Sequence, residues 1–247
     1  MSKNSDQQRH ILCMKWGTKY GPEYVNRLYA MVRRHLKGDF TFVCLTDRTE
    51  GIRAEVQCFP IPEMNIAEAK RDGAWKKLTT FEADLYGLKG TALFLDLDVV
   101  IVDDITPFFE VPGKFLIIHD WKRPWRVTGN SSVYRFKIGA HADVLDKFRR
   151  EHEALRKEFR NEQAYLSDEL HKQGLLQYWD DAWCASWKYH CVPRWPLNFF
   201  REPFIPAGAR ILIFHGVMNP PDALAGRSNG NWRKARPAPW IAEHWRE

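Results

Sequence analysis

Asp96 and Asp98 stand one residue apart at the end of the apolar run TALFLDLDVV. Carboxylates this close raise each other's pKa and repel unless a cation neutralises them, and hard oxygen ligands suit Mg²⁺ or Mn²⁺. The spacing points to a divalent metal site. The bland alternative is a pair of solvated aspartates capping a turn, and an isolated D-x-D favours neither reading. His215 follows a second apolar run, RILIF, as Asp98 follows the first. A neutral imidazole is a good ligand for Mn²⁺, so Asp96, Asp98 and His215 can close on one ion from two strand ends. Taken alone, a histidine after a strand is more often a hydrogen-bonded loop residue.

The elements that must carry these groups alternate. Residues 10–15 (HILCMK) read as a strand, followed by the loop WGTKYGPEY. Pro22 then stands at a plausible first helical position, with Val25, Leu28, Tyr29, Val32 and Leu36 on one face and Gly38 as a stop. Residues 41–45 read as a second strand, 74–87 as a helix, and Ala92 to Leu95 as a strand buried on both faces. Further strands are expected at 115–119, 132–136 and 210–214, and helices at 141–159 and 162–172 with Gly174 as a stop. Between two of these strands lies the basic, aromatic loop DWKRPWRVTGN, a candidate binding lid. Strands alternating with helices imply a mostly parallel sheet with covered faces, and ligands in such sheets bind beyond the carboxyl ends of the strands. From Asn219 onward the expectation is an irregular tail with one short helix.

A chain of 247 residues with 45% apolar content can bury a substantial core without disulfides. The five cysteines, at 13, 44, 58, 184 and 191, show neither a C-x-x-C pair nor zinc spacing, which suits reduced thiols in a cytoplasmic setting. The polar start MSKNSDQQRH does not read as an export signal, and no segment has the length of a membrane span. A net charge of +6 favours anionic partners. Eleven tryptophans suit sugars, bases or membrane interfaces, although core packing is their commonest use.

Five pieces in order resemble the nucleotide-sugar glycosyltransferases of the GT-A fold, and most closely glycosyltransferase family 8, which includes the glycogenins and bacterial lipo-oligosaccharide galactosyltransferases. FLDLDVVIVDDITPFF looks like the family's D-x-D strand and the segment after it. GNSSV (129–133) is similar to its N-A-G-V stretch, EQAYL (162–166) to its D-Q-D segment, and FHGVMNP (214–220) to its H-G-x-x-K-P ending. WKKL (75–78) falls where the family has an arginine before the helix leading to the D-x-D strand.

The resemblance implies a single α/β domain, GT-A-like (Rossmann-like), with a mixed, mostly parallel sheet and helices on both faces. It would span residues 1–221, with 222–247 as a basic, Trp-rich tail. It also implies Mn²⁺ (or Mg²⁺) on Asp96, Asp98 and His215, and a UDP-sugar donor held by Trp16, Thr18, Tyr20, Lys77, Leu97, Gly216 and Asn219. Asn130 and Gln163 would line the sugar and the reacting face, Glu162 would bind a sugar hydroxyl, and transfer to a glycan or lipid-linked acceptor would proceed with retention.

Three positions depart from the family. Asn219 replaces the lysine of H-G-x-x-K-P, with Lys188 or Arg227 as candidate substitutes. Ala164 removes one carboxylate of the D-Q-D segment. Lys77 in place of arginine keeps the charge and loses bidentate geometry.

Two other functions compete. A haloacid-dehalogenase-like phosphatase would use Asp96 as nucleophile and Asp98 as acid, with Asp180 and Asp181 as its late acidic pair. A nucleic-acid-binding module would use WKRPWR, and the transferase reading carries no nucleic-acid partner. The tail, with Arg227, Arg233, Lys234 and Arg236 beside Trp232, Trp240 and Trp245, suits either peripheral contact with an anionic membrane or packing onto the domain.

Overall fold

A computed structural model describes residues 8–66, 73–227 and 235–247. Its centre is a seven-stranded mixed sheet in which parallel pairings predominate, in the order β3-β2-β1-β4-β7-β6-β8. The strands are β1 (Arg9–Lys15), β2 (Thr41–Thr46), β3 (Gln57–Phe59), β4 (Thr91–Leu95), β6 (Phe115–His119), β7 (Gly129–Lys137) and β8 (Leu176–Tyr178). β7 runs antiparallel to both β4 and β6, whereas β1, β2, β3 and β4 pair in parallel. A small second sheet joins β5 (Val99–Ile101), β10 (Ile211–Ile213) and β9 (Cys184–Ser186).

Alternation along the central strands divides the interior into two cores. Ile11 and Cys13 of β1 and Leu93 and Leu95 of β4 face one of them, while Leu12, Met14, Ala92 and Phe94 face the other. Strands hydrophobic on both sides need cover on both sides, and helices supply it. α1 (Pro22–His35) packs Val25, Leu28, Met31 and Val32 into the first core. On the second lie a 3₁₀ helix (Ala74–Phe81), α3 (Ala142–Glu158) and α4 (Glu162–Lys172). Short helices α2 (Pro107–Glu110), α5 (Pro220–Leu224) and α6 (Ile241–His244) complete the molecule.

Several expected elements differ in detail. The helix expected over 74–87 is 3₁₀ and stops at Phe81. The Thr79 and Thr80 hydroxyls donate to the carbonyls of Lys76 and Lys77 three residues back, and Tyr86 and Gly87 have positive φ, which no continuous α-helix allows. α3 matches its expected span but has non-helical backbone at Glu151. The described part of the tail contains two short helices instead of one and is packed inward. Trp245 is buried against Tyr24 and beneath the Arg27 guanidinium, Ile241 is fully buried, and Trp240 donates its indole N–H to the Pro203 carbonyl. Trp232, Arg233 and Lys234 lie outside the described residues. No described helix is long and apolar enough to cross a membrane.

Candidate active site

β4 ends at Leu95, and Asp96 and Asp98 follow it in a tight turn before β5 begins at Val99. The Asp96 N–H donates to the Ser132 carbonyl on β7 (2.9 Å), which holds the turn against the reversed strand. Leu97, between the two acids, is buried in the first core. The turn therefore directs both carboxylates away from the core that anchors it.

Each carboxylate has a distinct partner. Asp96 forms an ion pair with Lys77, Oδ1 to Nζ 2.7 Å, and both side chains are largely shielded from solvent. Asp98 accepts a hydrogen bond from the Tyr20 hydroxyl at 2.7 Å, and the same hydroxyl lies 3.4 Å from the Asn219 amide oxygen. Burial first, and then the negative charge of Asp96, push the Asp98 carboxyl up to about 6, against the stabilising Tyr20 hydrogen bond and the nearby Lys77 and Lys19. Burial works against charge on Lys77, but Asp96, Glu162 and Asp98 outweigh it and raise its pKa, so the ammonium is fixed as a cation.

Lys77 also links the acids to the start of α4. Its ammonium donates to the Ser131 carbonyl at 3.2 Å. The Ser131 hydroxyl donates to Glu162 Oε1 at 2.7 Å, and its N–H donates to Gln163 Oε1 at 3.2 Å. Asn161 caps this helix, its Oδ1 accepting from the Ala164 N–H, so Glu162 and Gln163 occupy a first turn whose dipole favours negative charge. Glu162 is buried beneath Ser131, while Gln163 reaches a cleft. Asn130 Oδ1 accepts from the Ser132 N–H, which turns that side chain back onto its own strand.

Two clefts, of about 700 and about 680 Å³, meet at Trp121, Lys188, His215 and Gly216. One is walled by Trp187, Tyr189, Arg194 and Trp195, the other by Arg123, Arg126, Asn130 and Gln163. Asp96 and Asp98 line neither. Thr18 and Tyr20 border a third, shallower hollow with Lys15, Arg48 and Glu50, and Gly17 is held there by its N–H on Asp47 Oδ2. Trp16 packs on the second core, with its indole against Gly73.

The strand ends meet as the sequence suggests, but the side chains do not all follow. β10 pairs with β5 in the register Ile213↔Val99, which carries the backbone at His215 past Asp98. The His215 imidazole is engaged elsewhere: its Nε2 shares a 2.7 Å hydrogen bond with Ser186 Oγ, and the ring stacks on Trp121. Among the described residues no three His, Cys, Asp or Glu side chains stand together as a metal-binding group. The chemistry of the acidic pair nonetheless fits a hard cation. One carboxylate is forced upward by burial and a like charge, and Lys77 balances the other. The Tyr20 contact places Asn219 beside Asp98. Of the two candidate replacements for a lysine at that position, Lys188 lines both clefts, while Arg227 is exposed and faces Asp222 at 3.6 Å.

Sequence patterns do not single out Ser131 or Ser186, and they place Trp121 only within the candidate lid. Ser131 stands inside GNSSV, and its importance comes only from lying between Lys77 and the start of α4. Asp180 and Asp181, the late acids a phosphatase would need, are exposed, and Asp180 caps its own turn by accepting from the Ala182 N–H.

No protein-family model matches the chain, and no curated protein matches it in sequence. Solved structures do match. The apo form of the glycosyltransferase GlyE from Streptococcus pneumoniae TIGR4 gives a TM-score of 0.58 at 13% identity over 87% of this chain. The chain spans only 56% of GlyE. An active-site mutant of LgtC gives 0.56 at 13% identity, covering 85% of this chain and 89% of LgtC. The galactosyltransferase LgtC in complex with donor and acceptor sugar analogues gives 0.54 at 12% identity, covering 85% and 88%. In strand order, in the reversed strand beside β4 and in its match to these enzymes, the chain has the GT-A glycosyltransferase fold.

Proposed function

We propose that this protein transfers a sugar from a uridine-diphosphate donor to a glycan or lipid-linked acceptor, with retention, using a divalent cation held by Asp96 and Asp98. The observation that carries this reading is the continuous polar chain Tyr20, Asp98, Asp96, Lys77, Ser131, Gln163. It runs from the hollow at Thr18 to the cleft at Asn130. Such a chain suits a donor with its nucleoside at one end, its diphosphate in the middle and its sugar at the other.

When bound there, Mn²⁺ or Mg²⁺ supplies a Lewis acid for the charge that gathers on the leaving diphosphate. His215 would join Asp96 and Asp98 in holding it, with Nε2 freed from Ser186. The protein's own groups do the rest. Lys77 and Lys188 add positive charge to the diphosphate site, with Lys188 standing in for the lysine absent at Asn219. Thr18 and Tyr20 hold the uracil and ribose beside Trp16, and Leu97 and Gly216 contribute backbone. Retention results when the acceptor hydroxyl attacks from the face the diphosphate leaves. The bond from the anomeric carbon to the diphosphate breaks, the bond to the acceptor oxygen forms, and the hydroxyl proton passes to a diphosphate oxygen. Gln163, oriented by Ser131, presents its amide to the anomeric carbon as positive charge develops there. Glu162 acts from below through Ser131, since its carboxylate is buried.

The test is a screen of UDP-sugars by thermal melting with and without Mn²⁺. A sugar nucleotide at roughly 100 times its Kd should raise stability by about 2.7 kcal/mol, or about 5–10 °C in Tm, and only in the presence of the cation. Absence of any cation-dependent shift, or turnover of phosphomonoesters to inorganic phosphate, would overturn the reading.

A further inference from the structure

Among the described residues, all large apolar side chains that stand exposed, apart from Tyr86, fall in 125–127, 189–205 and at Val217. Trp125 is 77% exposed, Phe200 74%, Val217 69% and Trp195 63%. These segments are neighbours in space. Trp121 belongs to both clefts, its ring meets that of His190 edge-on at 5.9 Å, and Trp195 and Val217 line the cleft that the Trp121 loop closes. Val127, Tyr189, Trp195 and Val217 thus line the two adjoining clefts, and Trp125 and Phe200 extend the same exposed segments. A soluble chain rarely leaves such a group uncovered without a use for it.

Cations predominate in these exposed segments, while Asp120, Glu158 and Asp168 line the cleft beside them. Arg123 and Arg126 interleave with Trp125, and Arg194 and Arg201 flank Trp195 and Phe200, all of them exposed. Between residues 182 and 218 the only acid is Glu202. Aromatic tips beside an excess of cations match the boundary between anionic lipid headgroups and acyl chains, where the ring enters and the guanidinium stays with phosphate. The tail does not offer this combination in its described part, because Trp245 is buried and Trp240 is bonded to Pro203.

We infer that the rim formed by residues 122–127 and 194–205 docks on an anionic phospholipid surface. This stands independently of the reaction in the clefts. Only its corollary, that the acceptor arrives on a lipid, rests on the transfer reading.

Co-sedimentation of the full chain with phosphatidylcholine vesicles, with and without phosphatidylglycerol, tests it. The wild type should pellet with the anionic vesicles and stay in solution with the neutral ones. Arg194→Glu/Arg201→Glu should weaken partitioning by at least roughly fivefold per arginine, and Trp195→Ser/Phe200→Ser should also weaken it, with unchanged melting temperature in both cases. Arg33→Glu/Lys114→Glu changes net charge equally on exposed sites outside the rim, and should retain binding. Equal loss in that control, failure of the wild type to pellet, or a vesicle-free dimer that the rim variants dissolve would overturn the inference. The last outcome would assign the rim to a second copy of the chain.

Discussion

The Asp98 carboxyl is raised from 3.8 to about 6, chiefly by burial and secondarily by Asp96. A folded-state pKa above the unfolded one means that the folded protein holds the proton longer. Stability contributed at this position therefore falls as pH rises from about 4 to 6 and stays lower above that. Asp98→Asn removes the charge and keeps an oxygen to accept from Tyr20. In cation-free buffer it should raise Tm at pH 7.5 by several degrees and leave it almost unchanged at pH 3.5, as followed by scanning fluorimetry. The same substitution should remove the Mn²⁺-dependent shift. Equal melting of the two proteins at both pH values would show that the carboxylate is not under strain. The position of Asp96 and Asp98 at a strand end is legible in sequence because the motif is local, whereas Lys77 enters only through the family resemblance and its contact with Asp96 only through the fold. Ser131 was not legible, because a serine among serines acquires its role only when β7 brings it between Lys77 on the 3₁₀ helix and Gln163 on α4. The orientation of the His215 ring was equally hidden, since its partner Ser186 comes from the separate strand β9.

Element positions follow from patterns of the right length. α1 is readable because it carries enough residues to show its period, with Pro22 in its first turn and basic residues in its last, and β1 and β4 because each is an apolar run of strand length. Strands β5 and β9 have three residues each, too few for any period, although they form the second sheet. The 3₁₀ helix reads as α in sequence because its apolar spacing is compatible with both, and only the threonine back-bonds and the positive-φ turn separate them. At this scale the Asn161 cap is the testable part of the site. Asn161→Ala should cost about 1 kcal/mol, or about 2–4 °C in Tm. It should also lower turnover more than that loss alone explains, because the first turn of α4 carries Gln163. Restoration of both by Asn161→Asp would support the cap, and unaffected turnover would detach Gln163 from the chemistry.

Taken whole, the molecule has two cores separated by one sheet, and the far end of the chain closes the first of them. Arg34 on α1 donates to the carbonyls of His244 and Arg246, and Trp245 is 7% exposed. Trp245→Ala should therefore cost about 3–5 kcal/mol, an amount typical of truncating a large buried aromatic residue. Chemical denaturation would detect it, and a loss under about 1 kcal/mol would return these residues to the status of an appendage. The overall α/β architecture was legible because strand and helix periods alternate along most of the chain. The sequence leaves the tail open between lipid contact and packing on the domain, since tryptophan beside arginine looks alike whether it faces lipid or a helix. The pairing of β5 with β10 has one more consequence. With main-chain bonds stitching Ile213 to Val99, any approach of the His215 imidazole to the acids would be a side-chain movement that gives up both the Ser186 hydrogen bond and the stacking on Trp121. Such a movement would not wait for the swing of a whole segment, the slower class of motion.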